Sequence, residues 1–399
     1  MTNRVVLFAM ACIALLASAL FGPSTQQATA LPTFAQAYHV DCKACHTAIP
    51  GLNAYGRYIQ RTGFAALDPT VMKQVLPLLV REAVSGRSTG KLDATQPNKK
   101  VTTTSVSANV VGYIGTSVTY RAEQSFYSND VSGGGLGRAW FGYHDLFKRN
   151  GHLFIGKIEP ATMPMYANQG DLTGFSSSSV AVGKHSYALA SARWGVGFNY
   201  VHAPVDAEIS WSAGGSNLIN AADFTTMPGA DKTVHYKLAY ATPNKPFEIG
   251  VFGAAGGFVL PSKALDNYTA NGVYAQRDPV NGVPGVVMFY QTTYDSNAGT
   301  GSKGAIVSAA GHSYAVELFQ PVFKGNVMIG LRPVEFTNNG LGTYRHFGNV
   351  DIYWHDPRIP YLYVAAESAF AASSNAPSGR PTWRFSVKWA GPLRGPFKQ

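Results

Sequence analysis

From Leu76 to Ala390 this chain alternates with a period of two residues. Val205-Asp206-Ala207-Glu208-Ile209-Ser210-Trp211-Ser212 alternates without a fault, and so does Trp383-Arg384-Phe385-Ser386-Val387-Lys388-Trp389. Val234, Tyr236, Leu238 and Tyr240 alternate with His235 and Lys237, while Val350, Ile352 and Trp354 alternate with Asp351 and Tyr353. Side chains of an extended strand point to opposite faces in turn, so each segment is a β-strand with one apolar, aromatic face and one polar face. Roughly sixteen such segments can be counted. A soluble sandwich turns its apolar face inward. A membrane barrel turns that face to lipid and lines its lumen with the polar one.

Composition decides between the two. Charged residues make up only 14% of the 399, against 12% aromatic, with 42 Gly and 21 Tyr. That is too little charge for an ordinary soluble surface. Beyond the N-terminus no stretch reaches the roughly 18 continuous apolar residues of a membrane helix. The expectation is a mainly β protein, a transmembrane antiparallel barrel spanning residues 76–390 with a Pro- and Gly-rich tail at 391–399. A β-propeller is the soluble alternative, but no blade repeat is present. Turns fall at Lys148–Gly151, Thr242–Lys245 and Asp356–Arg358. Long polar loops are expected at Arg87–Lys100, Ala161–Ser179, Gly214–Asp231 and Pro261–Pro284. Long and short connections should alternate around a barrel. On this reading they stop alternating at Ala203-Pro204, so either a strand is miscounted or one outer loop is very short.

The N-terminus reads as an export signal over residues 1–30. Arg4 supplies the positive charge, Val5–Phe21 the apolar core, and Ala28-Thr29-Ala30 a small-x-small cleavage site. Cys12 lies inside the apolar run, in a poor setting for lipidation. The chain's net charge is +10, and removing Arg4 with the signal leaves +9. Its Lys and Arg residues are scattered and no nucleic-acid motif appears, so the charge is expected to line a lumen or meet anionic lipid headgroups.

Residues 31–75 carry different chemistry. Cys42-Lys43-Ala44-Cys45-His46 is a C-x-x-C-H run, the attachment signature of a c-type haem. Two thiols at that spacing can each add to a haem vinyl group, and the adjacent imidazole can face the iron. A redox dithiol would want a βαβ context, and a zinc site would want a second pair of thiolates. Only three cysteines exist in the whole chain. After the motif, Asn53 is placed to cap a short helix over Ala54–Thr62, closed by Gly63. Tyr55, Tyr58 and Ile59 share one face of it. Arg57 and Arg61 share another, to meet either a haem propionate or a wall-contacting or solvated environment. Some 40 residues cannot build a core of their own. The segment is therefore expected to plug the lumen of the barrel that follows.

The run Pro32-Thr33-Phe34-Ala35, Cys42–Thr47, Pro50-Gly51-Leu52-Asn53-Ala54-Tyr55-Gly56-Arg57 and Thr62-Gly63-Phe64 resembles the monohaem cytochrome–porin fusions of bacterial outer membranes, several of which oxidise ferrous iron. The resemblance covers about residues 32–64, and Gln36-Ala37-Tyr38-His39 departs from the basic residue more usual there. It implies one covalent haem c held by Cys42 and Cys45, with His46 as proximal iron ligand. It also implies an outer-membrane location, electron transfer to a periplasmic carrier such as a soluble cytochrome, and an extracellular donor such as Fe(II). The activity implied is that of an iron:cytochrome c oxidoreductase. Met72 is the first candidate for the distal ligand, followed by Met163 or Met165, then His39, with an open site as the remaining case. Loop acids Asp171, Asp223, Asp266 and Asp278 are weighed as transient Fe(II) ligands against the reading that they are solvated turn residues; none is singled out. The alternatives are a porin-like channel whose haem segment is a plug or sensor, and a soluble periplasmic cytochrome. No serine–histidine–aspartate set or phosphate loop is visible.

Overall fold

The computed structural model describes residues 38, 40, 44–48, 51–72, 78–88, 101–128, 131–132, 135–160, 179–183, 185–189, 192–213, 218–220, 232–259, 265–299, 307–342, 344–355, 362–373 and 382–392. The N-terminal part holds two short strands, β1 (His46–Ala48) and β2 (Gly51–Leu52), then the helices α1 (Ala54–Arg61) and α2 (Pro69–Met72). The barrel begins with β3 (Leu78–Ser88), β4 (Val101–Ile114), β5 (Val118–Ser128), the two-residue β6 (Val131–Ser132), β7 (Leu136–Leu146) and β8 (Gly151–Ile158). A separate hairpin follows, β9 (Ser179–Val182) and β10 (His185–Ala188). The wall resumes with β11 (Arg193–His202) and β12 (Val205–Ala213), and β13 (Leu218–Asn220) then pairs with β10. It continues through β14 (Lys232–Ala241), β15 (Phe247–Val259), β16 (Leu265–Arg277), β17 (Gly285–Asp295) and β18 (Ala309–Val322). The last wall strands are β19 (Val327–Asn338), β20 (Tyr344–His355), β21 (Leu362–Ser373) and β22 (Thr382–Pro392).

These strands close on themselves. Among the described residues, seventeen strands form one antiparallel ring, and setting aside the two-residue β6 leaves sixteen. The seam is β22 against β3, with Pro392 opposite Leu79 and Trp383 opposite Ser88. Closure removes the open edges that would otherwise expose unpaired backbone groups to lipid.

The alternation sorts inside from outside as the sequence predicts. On β12, Asp206 and Ser210 are 1% and 4% exposed, while Ile209 and Trp211 are 51% and 47% exposed. On β14, His235 and Lys237 are buried while Leu238 and Tyr240 are exposed. The outside carries an aliphatic belt that includes Ile209, Leu238, Val251, Val273 and Ile352. Aromatic residues flank it, with Tyr240, Phe247, Phe147 and Phe323 towards one end and Trp194, Trp211, Tyr294 and Tyr344 towards the other. Such a surface is soluble only in a bilayer, with the ring side chains at headgroup level.

The connections at one end of the barrel are all short. They include residues 115–117, 147–150, 203–204, 242–246 and 323–326, and the first and last wall strands also meet there. Parity does not break at Ala203-Pro204. The stretch read as a long loop over Pro261–Pro284 is instead mostly strand β16, paired with β15 over 13 residues, and the connection before it is short. The other expected loops, the signal region and the tail beyond Pro392 lie outside the described residues or largely so.

The lumen is filled from both ends. Near the short-turn end, wall residues Phe252, Tyr274, Phe289, Phe319, Met328 and Tyr353 form one buried cluster. At the opposite end the β9–β10 hairpin leaves the wall after β8 and crosses to the far side of the ring. There Val182, Tyr187 and Leu189 pack on Tyr268, Ala298 and Ala309, and the Gly183 N–H donates to the Asn339 carbonyl at 2.6 Å. Gly183 has φ +58°, and a Cβ there would lie 2.3 Å from that of Ala298, so this tip accepts only glycine.

Candidate functional site

The N-terminal segment sits inside the short-turn mouth. Asn53 caps α1: its Oδ1 accepts from the Gly56 N–H at 2.9 Å, and its Nδ2 donates to the Ala44 carbonyl at 3.1 Å. One side chain thus starts the helix and ties it to the C-x-x-C-H turn. The helix ends at Arg61, and Gly63 with φ +58° turns the chain away. β1 and β2 close a small hairpin in which His46 pairs with Leu52. Gly56 lies beneath it; a Cβ there would stand 2.0 Å from the Cys45 carbonyl oxygen, so the helix backbone touches the motif directly.

Arg57 and Arg61 face the wall, not a propionate. Arg57 Nη1 donates to Asp278 Oδ1 at 2.9 Å and Nε to Glu248 Oε2 at 3.2 Å. Arg61 meets Asp206 Oδ2 at 2.8 Å and Glu248 Oε1 at 2.5 Å. Lys237 joins Asp206 at 2.8 Å and Glu208 at 2.5 Å, while Tyr274 and Gln276 also donate to Glu248. Burial works against the Arg61 charge, but Asp206 and then Glu248 outweigh it and hold the guanidinium above its ordinary pKa. Two arginines and one lysine are set against four carboxylates with nearly every charge in hydrogen-bond contact, which is what makes a buried cluster of ions tolerable.

On its other side the segment meets aromatic wall. Phe64 stacks on Trp140 at 6.1 Å between ring centres, and Trp140 meets Phe154 edge-on at 5.2 Å. The Asn199 amide donates to the Arg61 carbonyl at 2.9 Å, and the Tyr113 hydroxyl to that of Phe64 at 2.5 Å. Close by, His144 and His152 face each other with Nδ1 atoms 3.0 Å apart, and Thr119 contacts the other nitrogen of His144 at 2.7 Å.

Of the predicted haem residues, Cys45 and His46 are described and Cys42 is not. Cys45 carries a free thiol, partly buried, and burial pushes its pKa up. The residues present fit a covalent haem in their chemistry: a reduced thiol beside an imidazole, on a segment whose charged face is taken up by the wall while Tyr55 remains exposed. Met72 ends α2 and nothing is described of its side chain; His39, Met163 and Met165 lie outside the described residues. Asp171 and Asp223 also lie outside them. Asp266 and Asp278 are buried at 0% and 5% exposure, so neither is a solvated turn acid, and Asp278 is committed to Arg57. Asp206, Glu208 and Glu248 were not foreseen as partners of the segment; their only sequence signal was an acid on the polar face of a strand.

No family model matches this chain, and no curated protein matches it. Solved structures do. An anion-selective porin from Comamonas acidovorans aligns with 79% of this chain and 98% of its own, at 12% identity and a TM-score of 0.55. A loop-deletion mutant of OmpT from Vibrio cholerae aligns with 78% and 98%, at 9% identity and 0.55. OmpF of Salmonella typhi, solved with daunomycin, aligns with 78% and 96%, at 13% identity and 0.54. The fold is therefore that of the outer-membrane porins. With its apolar belt and aromatic girdles, the chain is a transmembrane β-barrel of the bacterial outer membrane.

Proposed function

We propose that this protein is a porin-like outer-membrane barrel closed by its own N-terminal segment. The observation that supports this best is the docking of Arg57 and Arg61 onto Asp206, Glu208, Glu248 and Asp278. Bacterial barrels keep their short turns on the periplasmic side, which puts the segment in the periplasmic mouth. In planar bilayers the intact protein should conduct far less than a variant lacking residues 31–72. Equal conductance would remove the plug reading.

A second reading is favoured by the free, half-buried Cys45 thiol next to His46. We propose that Cys42 and Cys45 hold one haem c and that His46 faces its iron, so that the protein transfers electrons across the outer membrane. Bound haem would supply a one-electron couple at the periplasmic mouth, within reach of a soluble carrier. The chain's own part is to fix the motif: Asn53 and Gly56 hold its backbone on α1, and the two arginines hold α1 on the wall. The donor on this reading is an extracellular reductant such as Fe(II), which would make the protein an iron:cytochrome c oxidoreductase. Protein matured with the haem-attachment machinery should show one haem per chain in the pyridine haemochrome assay. Cys42→Ala and Cys45→Ala should lose it, and adding Fe(II) to the oxidised protein should reduce it. Absence of covalent haem would end this reading and leave the plugged channel standing.

A further inference from the structure

At the long-loop end, the inward hairpin meets the far wall through three buried side chains. His185 comes from β10, Asp266 from β16 and Asp295 from the end of β17, and one ligating atom from each lies within 4.8 Å of the others. His185 Nδ1 is 2.8 Å from Asp295 Oδ2 and 3.7 Å from Asp266 Oδ2. A first-row metal ion takes N and O ligands at about 2.0–2.2 Å, which puts neighbouring ligand atoms about 3 Å apart. The observed separations bracket that spacing.

Satisfaction of the oxygens is uneven. Asp295 Oδ1 accepts from the Asn297 N–H at 2.8 Å, and its Oδ2 accepts from the Tyr187 hydroxyl as well as facing His185. Asp266 Oδ1 accepts from Ser296 Oγ at 3.0 Å and from the Asn297 N–H at 3.1 Å. Among the described residues no N–H or O–H donates to Asp266 Oδ2, although the residue is 0% exposed; that oxygen faces the Asp295 carboxylate. Among the described residues, neither carboxylate forms an ion pair with a lysine or arginine. Two buried carboxylates facing each other beside one imidazole need either a shared proton or a cation between them, because their oxygens cannot both stay charged and unpaired there.

We propose that His185, Asp266 and Asp295 bind one divalent first-row metal ion, which fastens the β9–β10 hairpin to the far wall of the outer mouth. Imidazole and carboxylate are the ligand types such ions prefer. The ion is that cation, and Asp266 Oδ2 is one of its ligands. This site lies at the end of the barrel opposite the C-x-x-C-H segment and does not depend on haem.

The test is a Zn²⁺ titration of the purified full-length protein after dialysis against a chelator. It is carried out in a Cys42→Ser, Cys45→Ser background, so that the thiols cannot compete, with Mn²⁺ followed by electron paramagnetic resonance as a second probe. One ion per chain is expected, with affinity falling at least tenfold in Asp266→Asn and in His185→Gln and unchanged in His202→Ala. Heat-modifiable gel mobility confirms that each variant remains a closed barrel. If the parent binds no ion, or binds it equally well with Asp266→Asn, the cluster is a proton-sharing hydrogen-bond network and the proposal fails.

Discussion

Arg61 Nη1 lies 2.8 Å from Asp206 Oδ2, with Arg61 9% exposed and Asp206 1% exposed. An arginine of the N-terminal helix and an aspartate of wall strand β12 thus form an ion pair shut away from water. At the short-turn end of the lumen, that contact and its neighbours hold the N-terminal helix on the wall.

Removing the guanidinium should loosen the plug. Arg61→Gln leaves Asp206 with Lys237, and Glu248 with Arg57, Tyr274 and Gln276. Breaking a buried pair costs about 3–5 kcal/mol, and the remaining partners put this case near the lower end. The barrel itself should stay closed. Limited proteolysis should cut the N-terminal segment at least tenfold faster in the variant, with heat-modifiable mobility intact. Equal cleavage would mean that the ion pairs do not hold the segment.

Gly56 should be intolerant of any side chain. A Cβ would meet the Cys45 carbonyl oxygen at 2.0 Å, and both partners are backbone, so neither can swing aside. Gly56→Ala must therefore push the C-x-x-C-H turn off α1. Protein made with the haem-attachment machinery is expected to carry much less than one haem per chain in this variant. A control at Gly115, where a Cβ would meet nothing within 4 Å, tests for general misfolding, although its φ of +66° carries some strain of its own. Full occupancy in Gly56→Ala would show that the contact is dispensable.

The lipid-facing assignment has its own test. Leu238 is 53% exposed in mid-strand on β14, next to the buried Lys237. Arginine on the lipid face of a barrel costs about 2–4 kcal/mol near the bilayer midplane. Leu238→Arg should lower the unfolding free energy, measured by urea titration in lipid vesicles, by an amount in that range. A neutral outcome would place this face away from the hydrocarbon.

Most of the wall was legible because a barrel strand exposes its alternation directly: Val205–Ala213 and Lys232–Ala241 run almost where the pattern put them. Strand β16 was missed for a physical reason. Over residues 267–271 its outward residues are the polar Asn267, Thr269 and Asn271 and its inward ones the apolar Tyr268 and Ala270, so the usual polarity is reversed across that stretch. Tyr268 faces inward because the hairpin fills the lumen there and Tyr187 stacks on it at 4.2 Å. The helix and its Asn53 cap were readable because they depend on residues three apart. The partners of Arg57 were not, since Glu248 is 191 positions away and Asp278 is 221. Only ring closure brings them to the plug.

The Cys45 thiol gives a pH-dependent prediction for the chain before any haem is attached. Burial raises its pKa in the docked segment above that of a free cysteine, so docking favours the neutral thiol. The sign follows from linkage. A group whose folded pKa is raised gives its full stabilisation below the unfolded pKa and loses it as the pH rises through the folded one. Docking should therefore be unaffected at neutral pH and weaken above about pH 8.5, where an undocked cysteine would ionise. In a Cys42→Ala variant made without the attachment machinery, iodoacetamide should modify Cys45 several-fold more slowly than free cysteine at pH 8. Arg61→Gln, by freeing the segment, should close most of that gap. A rate in the parent equal to that of free cysteine would mean that the thiol is not sheltered, and with it would go the claim that the motif is pressed against α1 inside the mouth.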